Sequence, residues 1–77
     1  MNSLAQSIVN VVSNYLGPAA EKFVNRQATF HLGQGVTLDS LSETNLPELY
    51  KWIEISAKLL IDPEKVAQMM DQLKTIK

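Results

Sequence analysis

Ser40, His31 and the carboxylates of this chain are the side chains that could do chemistry, so their neighbours decide what they can do. His31 is the only histidine and there is no cysteine, so a metal held by His31 would lack a second imidazole, a thiolate or a carboxylate one helical turn away. A histidine closing a helix, interacting with free carbonyls or packing near Phe30, accounts for it. A serine triad fares no better, because the chain offers one histidine and no strand-turn-helix elbow. Glu48, Glu54, Asp62 and Glu64 fall where caps and solvated helix faces are expected rather than in a converging acid/base pair. Gly33-Gln34-Gly35 lacks the Lys-Ser/Thr continuation and the preceding strand of a phosphate loop, and is read as a helix stop. No catalytic residue, metal ligand or cofactor site is therefore assigned, and the chain is expected not to be an enzyme. Asp39-Ser40-Leu41 suits a turn in which Asp39 or Ser40 satisfies nearby backbone groups.

The elements that must position these residues are helical. Asn2 or Ser3 can cap a first helix over about 3–16, with Leu4, Ile8, Val11 or Val12, and Tyr15 inward and Val9 and Leu16 widening that face. Gly17-Pro18 stops it and starts a second over about 18–32, with Ala20, Phe23, Val24, Ala28 and either Phe30 or His31 facing in. An irregular 33–45 segment follows, with a short turn near Leu38 to Leu41, held down by Val36, Leu38 and Leu41. Asn45 with Glu48 forms a capping-box pattern, with Ser42 as a rival cap, and opens a third helix over about 46–61. Its stripe of Leu46, Leu49, Tyr50, Ile53, Ala57 and Leu60 is core, with Ser56 inside it. Asp62-Pro63, with Asp62 as cap, opens a fourth over about 63–76, packed through Val66, Met69, Met70, Leu73 and Ile76 and ending on Lys74 and Lys77. The expectation is an all-α, compact bundle of four helices forming a single domain over 1–77.

Size and charge narrow the function. At 77 residues, folding buries only about 60% of the area of the unfolded chain, so a dimer or partner contact can matter as much as the internal core. The formal charge of −1, with neither sign bunched, argues against phosphate-driven nucleic-acid binding, as does the sparseness of Lys22 with Arg26 and of Lys74 with Lys77. No run is apolar enough to span a bilayer and no secretory start is visible. Together with the absence of cysteine this suits a cytoplasmic protein.

Two stretches resemble known families. Asp39-Ser40-Leu41 resembles the attachment motif of acyl and peptidyl carrier proteins, four-helix domains of similar length. That resemblance implies phosphopantetheine on Ser40. In those carriers the serine opens a long acidic helix, whereas here Asn45 caps anew, Pro47 would fall inside such a helix at a cost of about 3 kcal/mol, and the charge is near neutral. The sequences L-G-P-A-A-E-K-F-V at Leu16 to Val24 and L-P-E-L-Y-K-W-I at Leu46 to Ile53 are similar to small helical modules appended to bacterial, often cyanobacterial, signalling and regulatory proteins. This second resemblance implies a non-enzymatic interaction domain.

One cluster remains unassigned by the core. Trp52, Ile55 and Leu59 point away from the centre of the third helix, bordered by Lys51 and Glu48, a composition that suits an interface with a polar rim. Either the segment from Gly33 to Thr44 folds over it, or it stays outside and docks a protein partner or a second copy. The leading reading is a small protein–protein interaction or regulatory module that engages a protein partner or forms a homodimer through Trp52, Ile55, Leu59, Lys51 and Glu48. The alternative is a carrier modified at Ser40.

Overall fold

Helices this short are marginal alone in water, so each one here exists by burying a face against its neighbours. A computed structural model describes residues 1–33 and 35–76. Four helices form, α1 over Ser3–Leu16, α2 over Ala20–His31, α3 over Leu46–Ala57 and α4 over Pro63–Leu73, with no strand among the described residues. Helix α1 packs on α2 and α4, and α3 packs on the same two, which closes a ring of helices around one core; the described residues as a whole measure 31 × 22 × 21 Å. Gln34, within the expected glycine stop, and Lys77, expected beside the last helix end, lie outside the described residues.

The core is assembled from one stripe per helix. Ile8 and Val12 of α1, Val24 and Ala28 of α2, Leu49, Ile53 and Ala57 of α3, and Val66, Met69 and Leu73 of α4 are all fully buried in a single cluster. In α1 the centre of the stripe lies on Ala5, Ile8, Val9 and Val12, and Val12 rather than Val11 takes the buried place. Asn2 is the cap expected of it: its Oδ1 accepts the Ala5 N–H at 2.9 Å. The same side chain donates from Nδ2 to the Leu41 carbonyl at 2.8 Å, and the Asn2 N–H donates to the Leu38 carbonyl at 2.9 Å. One residue thus starts α1 and pins the 35–42 loop, whose Leu38 and Leu41 are buried and whose Val36 packs at the core margin. Gly17 ends α1 at φ 64°, ψ −144°, a region that only glycine occupies without strain, and a 3₁₀ turn over Gly17–Ala19 leads straight into α2.

Four boundaries differ from those read in the sequence. Helix α2 starts at Ala20 rather than 18, because Gly17–Ala19 takes the tighter 3₁₀ turn. The cap before α3 is the rival, Ser42: Asn45 has helical dihedrals and its Oδ1 reaches back to accept the Ser42 N–H at 3.0 Å, with a 3₁₀ turn over Glu43–Asn45 between. Helix α3 ends at Ala57, not at 61. Leu59 and Leu60 donate to the carbonyls three residues back, Ser56 at 3.1 Å and Ala57 at 2.9 Å, and Asp62 before Pro63 is extended at ψ 142°, as the residue preceding proline prefers. Leu60, expected in the core stripe, is consequently turned out, and Ile61 packs at the core margin instead. Helix α4 begins at Pro63 as expected, with Asp62 at the cap position but making no side-chain cap bond, and it closes at Leu73 rather than 76.

Two tyrosines tie α4 to the rest. Gln72 Nε2 donates to the Tyr15 hydroxyl at 2.6 Å, and the Tyr50 hydroxyl donates to the Leu73 carbonyl at 2.9 Å, a helix-end acceptor that also takes the Ile76 N–H at 3.0 Å. Burial pushes the Tyr50 phenol up from 10.0 to about 12. Because the folded value lies above the unfolded one, this contribution is complete below pH 10 and is lost as pH rises towards 12. Chemical unfolding across this range is therefore expected to show stability falling with pH in the native chain, and a flatter profile with about 1 kcal/mol lower stability at neutral pH in Tyr50→Phe.

Candidate interaction surface

The outer side of α3 is set by the same 3.6-residue period that buries Leu49, Ile53 and Ala57. Trp52 falls on the flank towards α2, Glu48 and Ile55 lie next to it farther from the core, and the tight turn after Ala57 carries Leu59 out beside Phe23 of α2. Ile55 is 46% exposed and Leu59 84%. The loop after α2 does not bury them; it is held at the start of α1 by Asn2.

Trp52 is half-buried, and what covers it is His31. The two rings stack with centroids 3.8 Å apart and planes within 6°. The indole N–H donates to Glu48 Oε2 at 2.8 Å, one turn earlier on the same helix, and the Lys51 ammonium stands 5.4 Å from the indole centroid. Glu48 and Lys51, expected as a polar rim, thus grip the tryptophan itself. The indole is rigid and its only polar group is already bonded, so it presents aromatic surface without a hydrogen-bond debt. His31, assigned in the sequence to helix carbonyls or to Phe30, instead packs on an aromatic of α3.

Helix α2 supplies the other half of the surface. His31 lies opposite Trp52, Gln27 opposite Ser56 and Phe23 opposite Leu59, so the two helices run antiparallel. Phe30, one of the residues expected to face inward, is 71% exposed, because His31 and Ala28 occupy the inward positions of that turn. Phe23 and Phe30, seven residues apart, lie on one edge of α2 with Arg26 between them. Near the N-terminal end of α2 this edge and the turn after α3 enclose a groove of about 480 Å³, lined by Phe23, Leu59 and Leu60 with Lys22 and Arg26 at the rim. At its floor the Ser56 hydroxyl donates to Oε1 of buried Gln27 at 3.0 Å, a polar contact across the α2–α3 seam. Apart from Met1, the large hydrophobic side chains exposed among the described residues are Phe30, Ile55, Leu59 and Leu60, all on these two helices or the turn after α3.

Periodicity identified Trp52, Ile55 and Leu59 but missed Phe23, Phe30, Lys22, Arg26 and Leu60. The available signal was the i, i+3, i+7 run Phe23-Arg26-Phe30, an apolar edge interrupted by a cation. Gln27 was missed because a buried amide carries no pattern of its own.

Ser40 lies away from this surface, in the turn over 38–40. Its hydroxyl donates to the Gly35 carbonyl at 3.1 Å and accepts the Thr37 N–H at 2.9 Å, so it closes the loop on itself. No helix starts at Ser40; α3 begins six residues later, after the Ser42-capped turn. Among the described residues, no three His, Asp or Glu side chains gather as a metal site would require, and no helix is long and apolar enough to cross a membrane. No family model matches the chain, and no curated protein or solved structure matches it either.

Two stability measurements follow from this placement. Ile55→Asp with Leu59→Asp is expected to stay within about 0.5 kcal/mol of the parent, as surface changes do, while Ile53→Ala, one residue round the helix from the surface, costs about 2–5 kcal/mol. His31→Ala uncovers the only tryptophan, and its fluorescence emission is expected to move to longer wavelength with helicity unchanged.

Proposed function

We propose that this chain is a small non-enzymatic interaction module that works by protein–protein contact through the α2–α3 side. The observation that carries the reading is the exposure of Ile55 and Leu59 beside a tryptophan whose ring is held rigid by His31 and Glu48. Neighbouring exposed apolar side chains rimmed by polar residues are a mark of protein–protein contact sites. A rigid aromatic with aliphatic neighbours and a charged rim is the composition in which binding energy concentrates, with truncation of such a residue costing about 2 kcal/mol or more of affinity. The resemblance of Leu16–Val24 and Leu46–Ile53 to modules of bacterial regulatory proteins accords with a regulatory role in the cytoplasm. Nothing in this reading requires a cofactor, a nucleic acid or a membrane.

A photo-reactive amino acid at Leu59, irradiated in living cells, is expected to give a discrete covalent protein adduct, while the same group at Gln68 on the exposed side of α4 gives none. Equal labelling from both positions, or none from Leu59, rules the reading out.

A further inference from the structure

The groove between α2 and the turn after α3 contains a donor with nothing to donate to. Gln27 is only 5% exposed. Its Oε1 accepts from the Ser56 hydroxyl at 3.0 Å, while its Nε2 meets no acceptor among the described residues. No fully buried side-chain nitrogen or oxygen of the described residues lacks a hydrogen-bond partner. The amide nitrogen therefore reaches open space, and the groove is the cavity that Gln27 lines. Buried side-chain donors are paired as a rule, so one left open at the floor of a groove points to a ligand that accepts a hydrogen bond. The neighbouring Arg26 lines the same groove and makes no ion pair among the described residues. No acidic side chain lines the groove, and Glu54 of α3 faces Lys58 at 3.8 Å instead. Lys22 is shared with a separate recess that holds Glu21 and Asp39, so Arg26 is the cation that serves this groove alone.

We propose that this groove binds a small amphipathic carboxylate, an alkyl monocarboxylic acid in its ionised form. The carboxylate accepts from the Arg26 guanidinium and from Gln27 Nε2, and the alkyl chain lies against Phe23, Leu59 and Leu60. A guanidinium is a planar fork of donors that matches the two oxygens of a carboxylate. An alkyl ammonium would bring a second cation to Arg26 and offer the Gln27 amide no acceptor. A plain hydrocarbon would cover the apolar walls and leave both donors unpaired, at the cost of desolvating them. A free molecule fits better than a protein segment because the polar and apolar groups are gathered in two short stretches, Lys22–Gln27 and Ser56–Leu60. The groove of about 480 Å³ falls among small-molecule sites, which run from about 300 to 1,000 Å³ with mostly apolar walls and a few placed polar groups. The site goes beyond the protein-contact reading and does not depend on it.

An NMR titration of the full chain with decanoate, kept below the concentration at which it aggregates, tests this. Saturable shifts are expected at the Gln27 side-chain amide, at Arg26 Nε–H and at the methyls of Leu59 and Leu60. Acetate, which lacks the chain, and decyltrimethylammonium, which inverts the charge, are each expected to bind about tenfold or more weakly. Arg26→Gln, at an exposed position, is expected to weaken decanoate about tenfold or more, the worth of a hydrogen bond to a charged group, and to erase the preference for the anion. Leu59→Asp, at a position that is 84% exposed, sets a carboxylate against the ligand and weakens it by at least as much with helicity unchanged. Shifts that do not saturate, decyltrimethylammonium binding as tightly as decanoate, or decanoate affinity indifferent to Arg26→Gln or Leu59→Asp would each overturn the proposal. A chain that ignores decanoate yet gives a protein adduct from Leu59 in cells would overturn the carboxylate site alone and leave the docking surface standing.

Discussion

The fold depends on one column of α3. Leu49, Ile53 and Ala57 are fully buried in the cluster to which all four helices contribute, and no helix of this length holds its shape in water without such a contact. A chain of 77 residues has one core and little reserve. Spending three turns of α3 on that core leaves Ile55 on the outer side of the same helix, and Leu59 in the turn after it, exposed among the described residues. The loop between α2 and α3 does not cover them, since Asn2 holds it at the start of α1. The exposed apolar side therefore follows from how the core is made.

Much of the architecture was legible in local chemistry. Asn2, Gly17-Pro18 and Asp62-Pro63 are strong stops and starts because each fixes backbone dihedrals or supplies an acceptor irrespective of what packs nearby. The misplaced boundaries are those set by competition. Asn45 has the side chain of a cap, but Ser42 lies three residues earlier with the extended backbone a cap requires, and Asn45 then serves it from inside the turn. The end of α3 was extended to Ile61 because Leu60 continued the apolar period; what overrode the period was the extended conformation imposed on Asp62 by Pro63, propagating back as a tightened turn.

The surface was only half legible, for a related reason. Trp52, Ile55 and Leu59 stand out because they break the stripe of their own helix. Their neighbours on α2 do not: Phe23 and Phe30 look like core in a one-helix projection, and only the antiparallel seam shows that Phe30 has nothing above it. The pairing of His31 with Trp52 lies beyond any single-helix pattern, since it joins residues 31 and 52 through the fold.

The hydrogen bond from Ser56 to Gln27 has a mechanical consequence. A seam made only of aliphatic side chains can slip by a turn with small penalty, but sliding α2 along α3 here would strand a buried amide, at about 1–3 kcal/mol. The bond acts as a ratchet pin between two rods. It fixes the spacing between the two ends of the seam, so the side chains along it are held at set distances like teeth on a cut key.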